Sequence, residues 1–466
     1  MGRCILAPTA EHLRAALVLF LLSLAAPTLQ AQVCEDVRLQ TQAAVDAFNC
    51  AEVTGYLIID SYPLPTTDIQ NLDGLSELTS VEGLLRVFAH DFLQNIDGLA
   101  NLTAVGGELH IGGNDALQNL DGLAALDSVG GDLNISYNHA LQDIDGLAGL
   151  TSVGEGVYIA NNPVLQNIDG LLGLTSAGRF LTITENQALS NVDGLANIAV
   201  ADDWRIADNY SLRDVDGLAG LTHVVTELRI ESNGSLQNID GLVGLTVVEG
   251  NLFIISNSAL QNFDGLANLT TVGGDLLLMN SNATNVDGLG RLTSIGGDLR
   301  IQSNSALLNV DGLSNLSTIG SGALRVLSNA RLSECTTGLS PIVSGGGLSW
   351  IELRGNAPGC NSVCEVMGSC TDAESEPDAP RPGLAPPHPN PVRTATTLAY
   401  ALAEPGAATL AVYDARGRLL QTLADGEHAA GAYAVSWSGT GLPAGVYLVQ
   451  LVAGEASWTQ RVTLIE

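Results

Sequence analysis

Asp-Gly-Leu recurs eleven times in this 466-residue chain, at intervals of 24 residues with two exceptions of 23. Its aspartates are Asp73, Asp97, Asp121, Asp145, Asp169, Asp193, Asp216, Asp240, Asp264, Asp287 and Asp311. So regular a period confines the fold to a solenoid, in which each coil has an apolar face that only its neighbours can bury. Length alone suggests about three domains, but roughly 280 residues belong to this one elongated unit.

The columns of the repeat give the coil. Leu follows Asp-Gly in every copy, and Leu or Ile stands three residues later, as at Leu102, Ile198 and Leu292. Stacking places such equivalent side chains about 4.8 Å apart, and each buried Leu contributes about 1.5–3 kcal/mol. The strongest strand signal is Leu-x-Ile: alternation points Leu133 and Ile135 inward and Asn134 outward. Leu109/Ile111, Leu181/Ile183, Leu228/Ile230 and Leu299/Ile301 repeat it, which predicts one long parallel sheet. Short strands or single helical turns are expected in the rest of the coil, around its Gly-Gly and Asp-Gly turns.

Nine consecutive coils carry asparagine seven residues before the aspartate: Asn114, Asn138, Asn162, Asn186, Asn209, Asn233, Asn257, Asn280 and Asn304. An amide gives and accepts hydrogen bonds, so this column reads as a structural ladder at the turn where the chain leaves the sheet. A second column lies two before the aspartate, with Asn95, Asn119, Asp143, Asn167, Asn191, Asp214, Asn238 and Asn262. Asn-x-Asp-Gly is part of a calcium loop, but the further oxygen ligands and distal Glu are missing. A tight turn accounts for it, and no metal or cofactor is expected.

Leu-x-Ile-x-x-Asn-x-x-Leu resembles the leucine-rich repeat and, more closely, the receptor L-domain type of repeat. Gly stands at Gly130 and its equivalents in most coils, where a leucine-rich repeat has Leu. The resemblance covers about residues 56–334. It implies an all-β, right-handed parallel β-helix-like solenoid of about 11–12 coils of 24 residues rather than a helix-backed horseshoe.

The flanks read differently. Arg3 and Arg14 precede the apolar run Ala15 to Ala26, and Leu29-Gln30-Ala31 offers a cleavage site, so residues 1–31 read as a signal peptide. That run is short for a bilayer span, and no transmembrane segment is expected in the mature chain. Six cysteines then remain: Cys34, Cys50, Cys335, Cys360, Cys364 and Cys370. None lies within the repeats. In an exported chain they read as disulfides that staple the solenoid ends: Cys34 with Cys50 in an N-terminal cap at 32–55, the others in a cap at 335–370, their pairing open. The zinc reading of the last three has poor spacing and no nearby histidine.

Residues 371–387 are an acidic, proline-rich linker expected to stay extended and unpacked. Alternating strands follow at 397–401, 408–413, 432–437, 445–451 and 459–463, which predicts a separate small β-sandwich over 388–466. Pro389-Asn390-Pro391, Val412-Tyr413-Asp414 through Gly417-Arg418, Ala430-Gly431, Trp437 and Pro443-Ala444-Gly445-Val446-Tyr447 resemble the C-terminal sorting domain of the type IX secretion system. That resemblance implies the type IX machinery as a partner. It also implies passage across the outer membrane to the extracellular space or the outer cell surface.

Charge excludes one class of partner. Fifty acidic residues against 18 basic ones, all arginine, give a net charge of −32. Nucleic acid is therefore not expected. The outward position between Leu and Ile forms a column of Arg86, His110, Asn134, Tyr158, Thr182, Arg205, Arg229, Phe253, Leu277, Arg300 and Arg325. Five of the nine arginines between residues 56 and 334 fall there. Two readings follow. In one, Arg86, His110, Tyr158, Arg205, Arg229, Phe253, Arg300 and Arg325 form an open face for a glycan or surface protein. In the other the column is a charge lattice, with Arg205–Asp203, Arg229–Glu227 and Arg300–Asp298 pairs. No catalytic residues are assigned: the seven histidines are scattered and no nucleophile elbow, zinc helix or P-loop motif occurs. Asp203, Arg205, Glu227 and Arg229 are the one patch an enzyme could use. The expected role is non-enzymatic binding or adhesion, the alternative a passive structural spacer or surface-coat protein.

Overall fold

The computed structural model describes residues 32–60, 69–320, 322–345, 348–368, 383–402, 404–454 and 456–465. The expected leader, Cys370 and residues 371–382 of the expected linker lie outside these. The described chain is mostly β, with long parallel sheets in the repeats and antiparallel sheets after residue 383.

The Leu-x-Ile segments form the front sheet of the solenoid. Consecutive coils pair in parallel without a slip, Leu109 beside Leu133 and Ile111 beside Ile135, then Leu133 beside Val157 and Ile135 beside Ile159. The alternation holds throughout, since the inward Leu and Ile side chains are fully buried. One coil buries Leu133, Ile135, Leu141, Ile144, Leu147, Leu150 and Val153 together. Trp204 and Phe263 enter this aliphatic core at positions otherwise held by Leu, Ile and Val.

Asp-Gly-Leu forms a single 3₁₀ turn in each coil, for example Asp121–Leu123. The Leu123 N–H donates to Leu120 O at 2.8 Å, and the Asn119 Oδ1 accepts the Asp121 N–H at 3.2 Å. The glycine is required by stacking: a Cβ on Gly146 would sit 1.9 Å from Leu120 O of the preceding coil. After the turn comes a two-residue strand such as Ser128–Val129, which builds a narrow second sheet behind the first. Both expectations for this part of the coil, short strands and helical turns, are therefore met.

The repeat continues into the expected caps. Val37–Leu39 pairs with Leu57–Asp60, and Trp350–Arg354 pairs with Ala323–Leu327, so both caps add strands to the front sheet. A helix replaces the 3₁₀ turn at each end, Gln42–Asp46 and Thr336–Ser344. Cys34 bonds Cys50 and Cys335 bonds Cys360, and Cys364 is also disulfide-bonded.

The C-terminal module has two antiparallel sheets. One contains Gly383–Leu384, Ala395–Leu402 and Gly431–Ser438; the other contains Leu419–His428, Gly406–Asp414, Gly445–Ala453 and Ala456–Leu464. Leu398, Tyr400, Leu410, Trp437, Tyr447 and Val449 fill the space between them. Two features depart from expectation. The end of the expected linker is packed, with Leu384 and Ala385 buried, because Gly383 and Leu384 pair with Ala401 and Tyr400. Leu419–His428 is a strand although Asp425, Gly426 and Glu427 give it no apolar alternation; its partner Gly406–Asp414 supplies the ladder.

Candidate ligand-binding face

The outward column exists as one register. Arg86, His110, Asn134, Tyr158, Thr182, Arg205, Arg229, Phe253, Leu277, Arg300 and Arg325 are successive cross-strand partners, and Glu352 extends the row. All eight candidate residues are thus brought onto one face. They do not share one environment.

From Arg86 to Arg205 the side chains are half-buried or exposed. The Arg86 guanidinium lies 4.2 Å from the centre of the Phe88 ring, a cation–π stack, and the same ring meets His110 at 5.3 Å. Glu108 is 3.8 Å from the His110 ring. Burial, and then the Arg86 charge, nevertheless hold the imidazole down at about 4, so it is neutral at physiological pH. Burial, and then Asp132, raise the Glu108 carboxyl above its ordinary range. Tyr158 lies within electrostatic reach of Tyr137, Glu185 and Arg205. Tyr137 and Tyr210 are exposed to solvent on the turns beside this stretch. Among the described residues Arg205 makes only long ion pairs, 3.9 Å to Asp208 and 4.0 Å to Glu231.

Beyond Arg205 the face closes at Phe253, Leu277 and Arg325, while Arg229 and Arg300 stay half-buried. Phe253 and Leu277 point outward, yet are only 6% and 5% exposed, and Arg325 only 9%. The C-terminal module lies on this end of the sheet. Ala323 and Trp350 of the solenoid pack with Ala385 and Ala401 of the module, and the His388 ring is 3.8 Å from Asp275. The expectation of an open face at Phe253 and Arg325 is therefore corrected, since packing by a distant segment leaves no trace in the repeat itself.

The expected ion pairs are re-partnered. Arg229 does meet Glu227, at 2.8 Å, and also Glu231 at 3.3 Å, with its guanidinium 4.5 Å from the Phe253 ring centre. Arg205 turns to Asp208 and Glu231 rather than Asp203. Arg300 donates to Gln302 at 2.7 Å, while Asp298 pairs with Arg325 and accepts the Ala323 N–H at 2.7 Å. Asp275 likewise accepts the Asp298 N–H at 2.7 Å. These two carboxylates hold the backbone of the following coil, a use that same-strand spacing does not reveal. Burial raises Asp275 to about 6.

The asparagine ladder needs one correction. Its members are buried and bridge coils, but the rung assigned to Asn280 is Ser281, whose hydroxyl meets Asn304 Oδ1 at 2.7 Å. Asn280 is exposed with φ 55°. This coil is one residue shorter between rung and aspartate, so counting back from Asp287 lands one position early. His90, Asn329 and Asn356 extend the same row. Counting forward from the position equivalent to Leu133 in each strand would have found them.

Among the described residues no group of three or more His, Cys, Asp or Glu side chains is arranged to hold a metal ion. Among the same residues no helix is long and apolar enough to cross a membrane. A comparison with curated proteins finds no match. Residues 244–339 match the receptor L domain family, and this segment, with the disulfides at both ends, fits an extracellular ligand-binding protein.

Proposed function

We propose that this is an exported, non-enzymatic binding protein that takes a glycan or protein ligand on the uncovered half of its strand face. One observation carries the reading. Tyr158 and Arg205 stand in one outward row, with Tyr137, Glu185 and Glu231 beside them, and among the described residues Arg205 makes no ion pair shorter than 3.9 Å. A guanidinium and carboxylates on a rigid sheet suit hydroxyls and amides, and tyrosine rings suit the apolar faces of sugars or side chains. In the covered half Arg229 and Arg325 are engaged by the protein's own carboxylates.

Delivery is part of the same proposal. The leader-like residues 1–31 and the resemblance of 388–466 to a type IX sorting domain support export by that route to the surface or medium. The residues of that resemblance have structural work here: Asn390 accepts the Thr463 N–H at 2.7 Å and donates to Arg461 O at 2.9 Å, tying the module's first segment to its last strand.

The test is binding of the exported full chain to glycan, polymer and cell panels, beside Tyr158→Ala, Arg205→Glu and a control on the module side of the row, Arg300→Glu. Saturable binding lost about tenfold or more in the first two, and kept in the third, supports the reading. Binding of nothing by a folded chain would favour the passive spacer.

A further inference from the structure

We infer that the C-terminal module is an autoinhibitory cover over a second recognition patch, centred on Phe253 and Leu277, and that its displacement extends the ligand face along the whole sheet. The inference rests on the strand-face reading for its consequence, but its structural part is independent. Of the eleven outward residues from Arg86 to Arg325, Phe253 and Leu277 alone lack a polar side-chain atom, and they are adjacent partners. On an exposed sheet two such neighbours form an apolar patch, which is the usual mark of an interaction site. Arg229 borders it through its stack on Phe253, and Asp275 through its place two residues before Leu277. The patch therefore has the composition of a recognition site, an apolar centre with a charged rim.

The cover over it has the character of a releasable contact. The module's apolar contact with the solenoid is Ala323, Ala385 and Ala401 around a single large side chain, Trp350, and nearer the patch the His388 ring lies 3.8 Å from Asp275. Small side chains bury little area, and domain contacts within a chain move by default unless they are large and apolar. The contact also carries an electrostatic burden. The Trp350 Nε1 is buried with no acceptor among the described residues, burial lifts the Asp275 carboxyl to about 6, and burial holds the His388 imidazole below its ordinary value. An orphaned donor and desolvated charges offset part of the gain from docking. A permanent interface would be expected to resolve them.

The experiment reads the cover directly in the full chain. Leu277→Cys is a reporter beneath the module and Thr182→Cys a reporter on the open half, each alkylated without reductant and compared with the parent chain. The expected result is that Leu277→Cys reacts about tenfold more slowly than Thr182→Cys. Adding Ala385→Arg should bring its rate up to that of Thr182→Cys and leave the latter unchanged. Ala323→Arg, on the solenoid side, must act in the same way while leaving the module's sequence intact. The same opened chains should gain affinity or ligand range on the panels. Equal reporter rates in the parent chain, or rates that neither arginine changes, would overturn the cover. If the parent binds through Tyr158 and Arg205 but opening alters nothing, the cover fails as a regulator and the strand-face reading stands. If opening exposes Leu277→Cys yet neither form binds saturably, the strand-face reading fails, and the regulatory role with it.

Discussion

Asn162 closes two coils onto each other: its Oδ1 accepts the Asn138 N–H at 3.1 Å, and its Nδ2 donates to Ile135 O at 3.0 Å. Both partners belong to the preceding coil, and the side chain is completely buried. Asn138 repeats the arrangement one coil earlier, toward Asn114 and Ile111. The ladder is therefore the polar counterpart of the leucine columns. It satisfies buried backbone groups where the chain turns off the sheet with the preceding residue in the left-handed region, as at Tyr137 with φ 59°.

Asn162→Ala leaves one buried donor and one buried acceptor unsatisfied. At about 1–3 kcal/mol for each orphaned group, the expected loss is about 2–6 kcal/mol. Asn280→Ala, at the position the repeat count assigns to the ladder, should cost under about 1 kcal/mol. Denaturant unfolding of both variants checks this, and equal losses would contradict the placement of the rung at Ser281.

The Asp-Gly-Leu glycines make a sharper contrast. A Cβ on Gly146 meets the Leu120 carbonyl oxygen at 1.9 Å, backbone against backbone, while one on Gly234 meets nothing within 4 Å. Gly146→Ala must force two coils apart, at a cost of about 3 kcal/mol or more by analogy with overpacked cores. Gly234→Ala should stay within about 0.5 kcal/mol. Melting temperature and soluble yield measure both. A mild Gly146→Ala would mean that the coils are further apart than described.

What could be read from the sequence was local and periodic. Leu133 and Ile135 announce an inward strand because alternation is a property of neighbouring residues, and the outward column followed from the same count. The ladder failed only at Asn280, where the coil loses a residue between rung and turn and the two ways of counting diverge. Asp298 pairs with Arg325 rather than Arg300 because the partner lies on the next strand, which same-strand spacing cannot rank. The covering of Phe253 and Leu277 was not legible either. The module docked at this end of the sheet touches it through Ala385, His388 and Ala401, over 100 positions away, and an outward apolar residue looks the same to the repeat whether solvent or a module lies on it. That two apolar residues interrupt an otherwise polar column was the available signal.

The disulfides should matter at the ends and little in the middle. Cys335–Cys360 closes a 25-residue interval, for which chain entropy gives about 3–4 kcal/mol. Solenoid coils interact mainly with their neighbours, so that loss stays near the end of the stack. In the Cys335→Ser/Cys360→Ser double variant, amide hydrogen exchange should rise across Trp350–Arg354 and Thr336–Ser344. Exchange at Leu133–Ser136 should keep its parent rate. Uniform acceleration along the chain would show instead that the solenoid unfolds as one cooperative block.

His110 supplies a pH dependence whose sign is set by its surroundings. Its folded value is depressed from 6.5 to about 4, first by burial and then by Arg86. Between these values the unfolded chain binds a proton that the folded chain refuses, so acid favours unfolding. The associated stability is fully present above 6.5 and is lost as pH falls through about 4. A ring-proton NMR titration should place the midpoint near 4, and Arg86→Gln should raise it partway toward 6.5 by removing the smaller of the two causes. His110→Gln should flatten the fall in denaturation midpoint between these two pH values, because no proton is then taken up at this position. A midpoint near 6.5 in the parent protein would show a solvated imidazole, incompatible with a ring packed against Phe88 between Arg86 and Glu108.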